Sequence, residues 1–251
     1  MTTETLPTPV IERHRFEIRR RALTVTKKEM LTPQMIRLTL TSPDLADFAS
    51  ASFDDHVKCF FDVAGAEKPA MRDYTPRRFD TEACELVLDF AVHEAGPATA
   101  WAVAAEVGSV LNIGGPRGSR KITGPILHWV LIGDETALPA IGRFCEEAPA
   151  GTKVTVIAGI RDAAEEQVFD TAADLDLRWV HRGEAVTDPA PLLEVLQGLD
   201  LAPQTFVWTA AEGSVTQALR AWLLDSGHPL VWTKSAGYWV RGTAESKVDF
   251  D

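Results

Sequence analysis

The chain has 251 residues, 45% of them hydrophobic and 24% charged, with a formal net charge of −11. That length suffices for one large domain or two ordinary ones, and the acidic excess excludes a protein that holds nucleic acid through a basic face. No apolar run reaches the roughly 18–20 residues of a membrane span, and Cys59, Cys84 and Cys145 are too scattered for a disulfide framework or a C-x-x-C cluster site. The first ten residues carry acid, Thr and Pro rather than the basic and apolar regions of a secretory signal. Together these features predict a cytoplasmic protein without membrane insertion. Charge divides unevenly: residues 1–125 hold 16 Lys/Arg against 17 Asp/Glu, and residues 126–251 hold 9 against 19. Two units with different surfaces are expected.

In chain order, runs at 16–26, 35–41, 57–63, 85–92 and 109–113 are rich in β-branched and aromatic residues. Several alternate, as in Ile36-Arg37-Leu38-Thr39-Leu40, which is the pattern of half-buried strands. Closely spaced strands with Pro, Gly and Asp between them predict an antiparallel barrel of Greek-key type. One short helix is predicted over 97–105, because Pro97 follows Gly96 at the favoured first helical position. From 127 the rhythm changes. Strands predicted at 127–132, 152–160, 177–181, 205–209 and 230–233 alternate with helices near 137–147, 191–199 and 214–226. Continuous apolar strands alternating with helices predict a parallel sheet covered on both faces. The boundary is expected within 121–125, giving a barrel over 1–124 and an α/β unit of nucleotide-binding type over 125–251.

Three short blocks carry chemistry. Arg72-Asp73-Tyr74-Thr75-Pro76-Arg77-Arg78 offers a cation, an aromatic ring and a hydroxyl donor. These are what a flavin asks of protein at its phosphates, its ring face and its reactive N5. On a straight strand Arg72 and Tyr74 share a face while Thr75 points away, so the block requires a bend. His93-Glu94-Ala95-Gly96-Pro97-Ala98-Thr99-Ala100-Trp101 runs into a helix start, where free N–H groups and the helix dipole favour phosphate. Gly114-Gly115-Pro116-Arg117-Gly118-Ser119 makes a tight turn that backbone can bring close to a ligand. A fourth block, Gly133-Asp134-Glu135-Thr136-Ala137, lies at the end of the first parallel strand, where open α/β sheets bind ligands.

With His56-Val57-Lys58 and the C-terminal Lys234, Gly237-Tyr238-Trp239, these blocks resemble the siderophore-interacting protein family, the FAD-dependent ferric-siderophore reductases of the ferredoxin-reductase-like superfamily. The resemblance covers about 21–242. It implies FAD on the barrel, with Tyr74 against the isoalloxazine and Thr75 near N5. It further implies that Arg72 and the Gly96, Ala98 and Thr99 helix start hold the ribityl-pyrophosphate arm, with Trp101 and His93 beside it. Asp134 and Thr136 become candidates for a nicotinamide cofactor. Two positions depart from the family pattern: Glu94 stands where the family has Gly, and Val240 follows Trp239 where the family often has Arg, with Arg241 one place later.

The resemblance implies reduction of ferric siderophores, with electrons passing from NAD(P)H through flavin and iron leaving as Fe(II). Such a protein needs no catalytic triad and no metal ligands, only cations near the flavin edge to attract an anionic chelate. Lys58, Lys234 and Arg241 are the candidates, ahead of Arg117 and Arg120. A monomer is expected. The alternatives are an NAD(P)H-dependent flavin or ferredoxin-type reductase with another acceptor, and a non-catalytic siderophore- or flavin-binding protein. Ferredoxin is an alternative donor that the acidic second half disfavours by like-charge repulsion.

Overall fold

A computed structural model describes residues 7–92, 96–243 and 248–250. The first half comprises β1 (Val10–Arg15), β2 (Arg20–Thr32), β3 (Met35–Thr41), β4 (Val57–Phe61), β5 (Ala70–Tyr74), β6 (Pro76–Asp80), β7 (Glu85–Ala91), helix α1 (Pro97–Ala104), β8 (Val110–Gly114) and β9 (Gly118–Thr123). Seven of its strands form one antiparallel curled sheet in the order β5-β4-β8-β2-β3-β7-β6. Alternation does the sorting. Leu23 and Val25 of β2, Leu38 and Leu40 of β3 and Leu86, Leu88 and Phe90 of β7 all point into one core. Strands β1 and β9 stand apart as a two-stranded ribbon. Gly118 is required there, since a Cβ would sit 2.3 Å from the His14 carbonyl oxygen.

The second half comprises β10 (His128–Gly133), α2 (Leu138–Glu147), β11 (Lys153–Ile160), β12 (Asp174–His181), α3 (Ala190–Gln197), β13 (Thr205–Glu212), α4 (Gly213–Asp225), β14 (Thr233–Trp239) and β15 (Val248–Asp249). Five strands run parallel in the order β12-β11-β10-β13-β14, and β15 adds an antiparallel edge. Strands β10 and β13 are buried along their whole length, as a sheet covered on both faces demands.

Several boundaries differ from the sequence reading. The run expected at 16–26 begins as a strand only at Arg20 and continues to Thr32. The run at 230–233 is a 3-10 turn over Leu230–Trp232 that opens behind Pro229, and the fifth parallel strand starts at Thr233. Strands β1, β5, β6 and β9 lack the clean apolar–polar alternation in sequence that marked β3 and β7.

The halves share a seam that is apolar in part and polar in part. Phe53 packs its ring edge-on against Trp129, Phe144 and Trp208, with centroids 6.4, 5.0 and 5.3 Å away. Around it, the buried Glu165 accepts from the Thr32 hydroxyl and the Gln34 N–H. Arg143 donates to Ser50 and to the Pro76 carbonyl, and Arg77 is enclosed by Glu146 and Asp89. No helix is long and apolar enough to cross a membrane among the described residues.

Candidate flavin and chelate site

Strand β5 pairs with β4 at one edge of the curled sheet, and β6 pairs with β7 at the other. Thr75 is the single residue between them, 7% exposed. Pro76 restricts it to extended backbone, so the chain crosses between the two edges here, and this crossing is the bend that the Arg72–Thr75 block requires. Tyr74 lies 4.3 Å from Phe90, centroid to centroid, and 6.3 Å from Phe61. Trp101 of α1 closes the same layer, 5.8 Å from Phe61 and 5.9 Å from Phe90. Burial pushes the Tyr74 phenol far above its ordinary value, with Cys59 adding to the effect, so it stays a neutral donor. The Arg72 guanidinium donates to the Met71 carbonyl at 2.8 Å on the same strand.

Helix α1 starts bare. Its N-cap is Gly96, which offers no side-chain acceptor, and the first helical bond runs from the Ala100 N–H to the Gly96 carbonyl. Pro97 has no N–H, which leaves the N–H groups of Ala98 and Thr99 without an acceptor among the described residues, although both residues are buried. Lys28 caps the opposite end, its ammonium 2.6 and 2.9 Å from the Val103 and Ala105 carbonyls. Donors at a helix start in buried residues, without an acceptor among the described residues, suit a phosphate. They lie against the Tyr74–Trp101 aromatic layer, so the residues present fit a flavin that carries a phosphate arm. His93 and Glu94 lie outside the described residues.

The chelate candidates divide. Lys58 faces outward on β4, with its ammonium 2.7 Å from Asp73. Gly114 pairs with Lys58 in register, which brings the Arg117 turn to the same rim. Arg117 is exposed, and although its carbonyl accepts from the Phe16 N–H at 3.1 Å, its side chain makes no hydrogen bond or ion pair among the described residues. Arg241 is also exposed, and its backbone N–H donates to Glu212 at 3.3 Å. Lys234 is 9% exposed and sits in the seam, with its ammonium 2.6 Å from Asp54, to which the Trp208 indole also donates at 3.0 Å. Burial acts to raise the Asp54 carboxyl, but Lys234 and the hydrogen bonds from Ser52 and Trp208 prevail and hold it below the usual carboxylate range. Lys234, one of the three cations singled out from sequence, is thus part of a buried pair between the halves. Arg117, ranked lower there, is the open one.

At the end of β10, Gly133 allows α2 to approach, since a Cβ would meet Ala137 at 2.4 Å. Asp134 is fully engaged. One of its oxygens accepts from the Thr136 N–H and hydroxyl, and the other accepts from the Glu212 N–H and the Trp239 indole at 2.9 and 2.8 Å. Neighbouring Glu135 pairs with Arg182, which follows β12. Burial first and Asp134 second push the Glu135 carboxyl up to about 7, against the pull of Arg182. Helix α4 is closed by its own N-cap: the Glu212 carboxylate accepts from the N–H groups of Ser214 and Val215 at 2.7 and 3.2 Å. Helix α2 has no such side-chain cap at Ala137.

The sequence matches the siderophore-interacting FAD-binding domain over residues 24–70 and 62–120, and the siderophore-interacting protein family over 127–242. The crystal structure of a siderophore utilization protein from T. fusca superposes with a TM-score of 0.86 at 34% identity, covering 95% of this chain and 98% of that one. This chain belongs to the siderophore-interacting protein family. Two curated relatives of this siderophore-interacting protein span its length. One is the NADPH-dependent ferric-chelate reductase of Escherichia coli, 28% identical over 91% of this chain and 96% of its own. The other is a ferric vibriobactin reductase of Vibrio cholerae, 27% identical over 90% and 91%. The barrel is therefore an FAD-binding domain, and the curled sheet and the parallel sheet are the two parts of a flavin-dependent oxidoreductase.

Proposed function

We propose that this protein is a cytoplasmic, monomeric reductase of ferric siderophores that draws electrons from NAD(P)H through FAD. The observation that carries the reading is the bare start of α1, two buried N–H donors without an acceptor among the described residues, set against an aromatic layer. FMN would leave this cradle without its second phosphate. Arg72 and the Gly96–Thr99 segment would hold the pyrophosphate arm, Tyr74 would lie against the flavin ring, and Thr75, fixed at the crossing between sheet edges, would supply a donor to the ring's edge. When bound, the flavin supplies the conversion between hydride pairs and the single electrons that iron accepts.

The chain's own task at the other end is to attract and position the chelate. Ferric siderophores hold iron with hard, mostly anionic oxygen donors, a match that weakens when iron becomes Fe(II). Lys58 and Arg117 form the cationic rim, and Arg241 stands as a further candidate from the C-terminal segment. Lys234 fixes the seam behind them through Asp54. The donor proposed is NADPH, in keeping with the name of the Escherichia coli relative. Its phosphates would lie at the uncapped start of α2, while Asp134, with both oxygens engaged, shapes the turn and Thr136 braces it.

The test compares acceptors. Turnover with ferric siderophores should exceed turnover with free flavin or a cytochrome-like protein at equal concentration. Preference for either of those acceptors would favour a general flavin or ferredoxin-type reductase.

A further inference from the structure

Several cations elsewhere on this acidic surface have carboxylate partners, such as Lys27 with Glu29, Arg161 with Glu184 and Arg178 with Asp176, at 2.7 to 2.9 Å. The β1–β9 ribbon differs. Every residue of β1 is exposed, and Arg13 and Arg15 make no ion pair or hydrogen bond through their side chains among the described residues. In the ribbon's register Arg13 stands directly opposite Arg120, and Ile11 opposite Ile122. Side chains alternate along a strand, so Ile11, Arg13, Arg15 and Arg120 project to one side. Like charges set directly across a ladder destabilise it. Ile11 is 41% exposed and Ile18, in the link to β2, is 60% exposed, so aliphatic side chains flank the arginines.

Charge and apolar area together select the partner. The side chains of Arg13 and Arg15, without a partner among the described residues, attract anions, and each basic residue near an anionic bilayer contributes about 1 kcal/mol. Isoleucines flanking such arginines suit the boundary between headgroups and acyl chains, which takes apolar side chains that a purely ionic contact would leave wet. The acid of the α/β half does not cancel the attraction, because at physiological salt a charge is screened within about 8 Å. We propose that the β1–β9 ribbon is a docking face for an anionic lipid surface. The arginines lie among headgroup phosphates, and Ile11 and Ile18 rest at headgroup depth. Arg15 pairs with Gly118, the neighbour of Arg117, so the docked ribbon runs directly into the chelate rim. Lipid contact would hold that rim beside the bilayer through which an imported chelate arrives.

Co-sedimentation of the flavin-loaded protein with vesicles tests this without reference to turnover, so its failure would leave the reductase reading intact. Vesicles of phosphatidylglycerol mixed with phosphatidylcholine should bind the protein at low salt and release it at high salt, while phosphatidylcholine alone should not bind. Arg13→Glu with Arg15→Glu should weaken partition at least about tenfold, with flavin content and melting temperature unchanged, whereas Arg13→Lys with Arg15→Lys should retain binding. Equal binding to both vesicle types, no binding to either, or full binding by the charge-reversed variant would overturn the proposal.

Discussion

Helices α1 and α4 start in opposite ways. Helix α4 begins beneath its own Glu212 carboxylate, which satisfies its first donors and leaves no room for an outside anion. Helix α1 begins at a glycine, with the N–H groups of Ala98 and Thr99 without an acceptor among the described residues. The same division extends outward from each. Around α4, Asp134 ties together the ends of β10, β13 and β14, and Asp54 with Lys234 locks the seam. Around α1 lie a half-buried aromatic layer and a rim of exposed cations. Polar groups that the fold satisfies internally serve architecture, and those it leaves open mark where ligands belong.

Breaking the closed side should have the largest effect. Asp54→Ala leaves the Lys234 ammonium buried without a partner, an arrangement that costs about 3–5 kcal/mol. A large fall in melting temperature is expected. Adding Lys234→Met should restore much of it, and no recovery in the double variant would show that Asp54 acts through other groups.

Closing the open side is the sharper experiment. Gly96 has φ −128, which any residue can adopt, so Gly96→Asp can install at α1 the carboxylate cap that α4 already has. Two opposite shifts are expected: apo protein more stable by roughly a few tenths of a kcal/mol, and FAD affinity lower by at least about tenfold, from loss of the phosphate cradle. Titration of apo protein with FAD, alongside melting curves, reads both. Unchanged affinity would place the phosphates elsewhere.

The reverse change at α4 tests whether a self-capped start is purely structural. Glu212→Ala should cost about 1–2 kcal/mol without altering flavin content. Burial works to raise the Glu212 carboxyl, yet hydrogen bonds from Ser214, Arg241 and Val215 hold it below its ordinary 4.5. Its contribution is therefore complete above that value and lost as pH falls through the lower folded one. Melting curves of wild type and Glu212→Gln should differ most near neutrality and converge in acid.

Smallest are the effects at the rim, where solvent screens charge. Arg117→Ala should raise KM for an anionic ferric siderophore a few-fold, and Asp73→Asn, which frees Lys58, should lower it by less than about fivefold. Both differences should shrink with added salt, and flavin reduction by the donor should not change. A loss in both half-reactions would show that the residue supports the fold.

What the sequence revealed follows from locality. The Gly96–Pro97 helix start is contiguous, so residue type and spacing sufficed, and the alternation of β2, β3 and β7 marked the barrel; the Arg72–Thr75 block is equally local, which is why the sequence could propose it as a site. The Asp54–Lys234 pair joins residues far apart in the chain and could not be read from either neighbourhood, so Lys234 looked like a surface cation. Strand β1 reads Val-Ile-Glu-Arg-His-Arg and buries neither face, so it carries no periodic signal. Pro229 converts an apolar run that resembles a strand into a 3-10 turn.

The most direct test of the account is the identity and redox behaviour of the cofactor in gently purified protein. A yellow protein that releases FAD by mass, bleaches on anaerobic addition of NADPH and regains its colour when a ferric siderophore follows is the expected result. A released FMN, or a bleached protein that ferric siderophore fails to recolour, would contradict it.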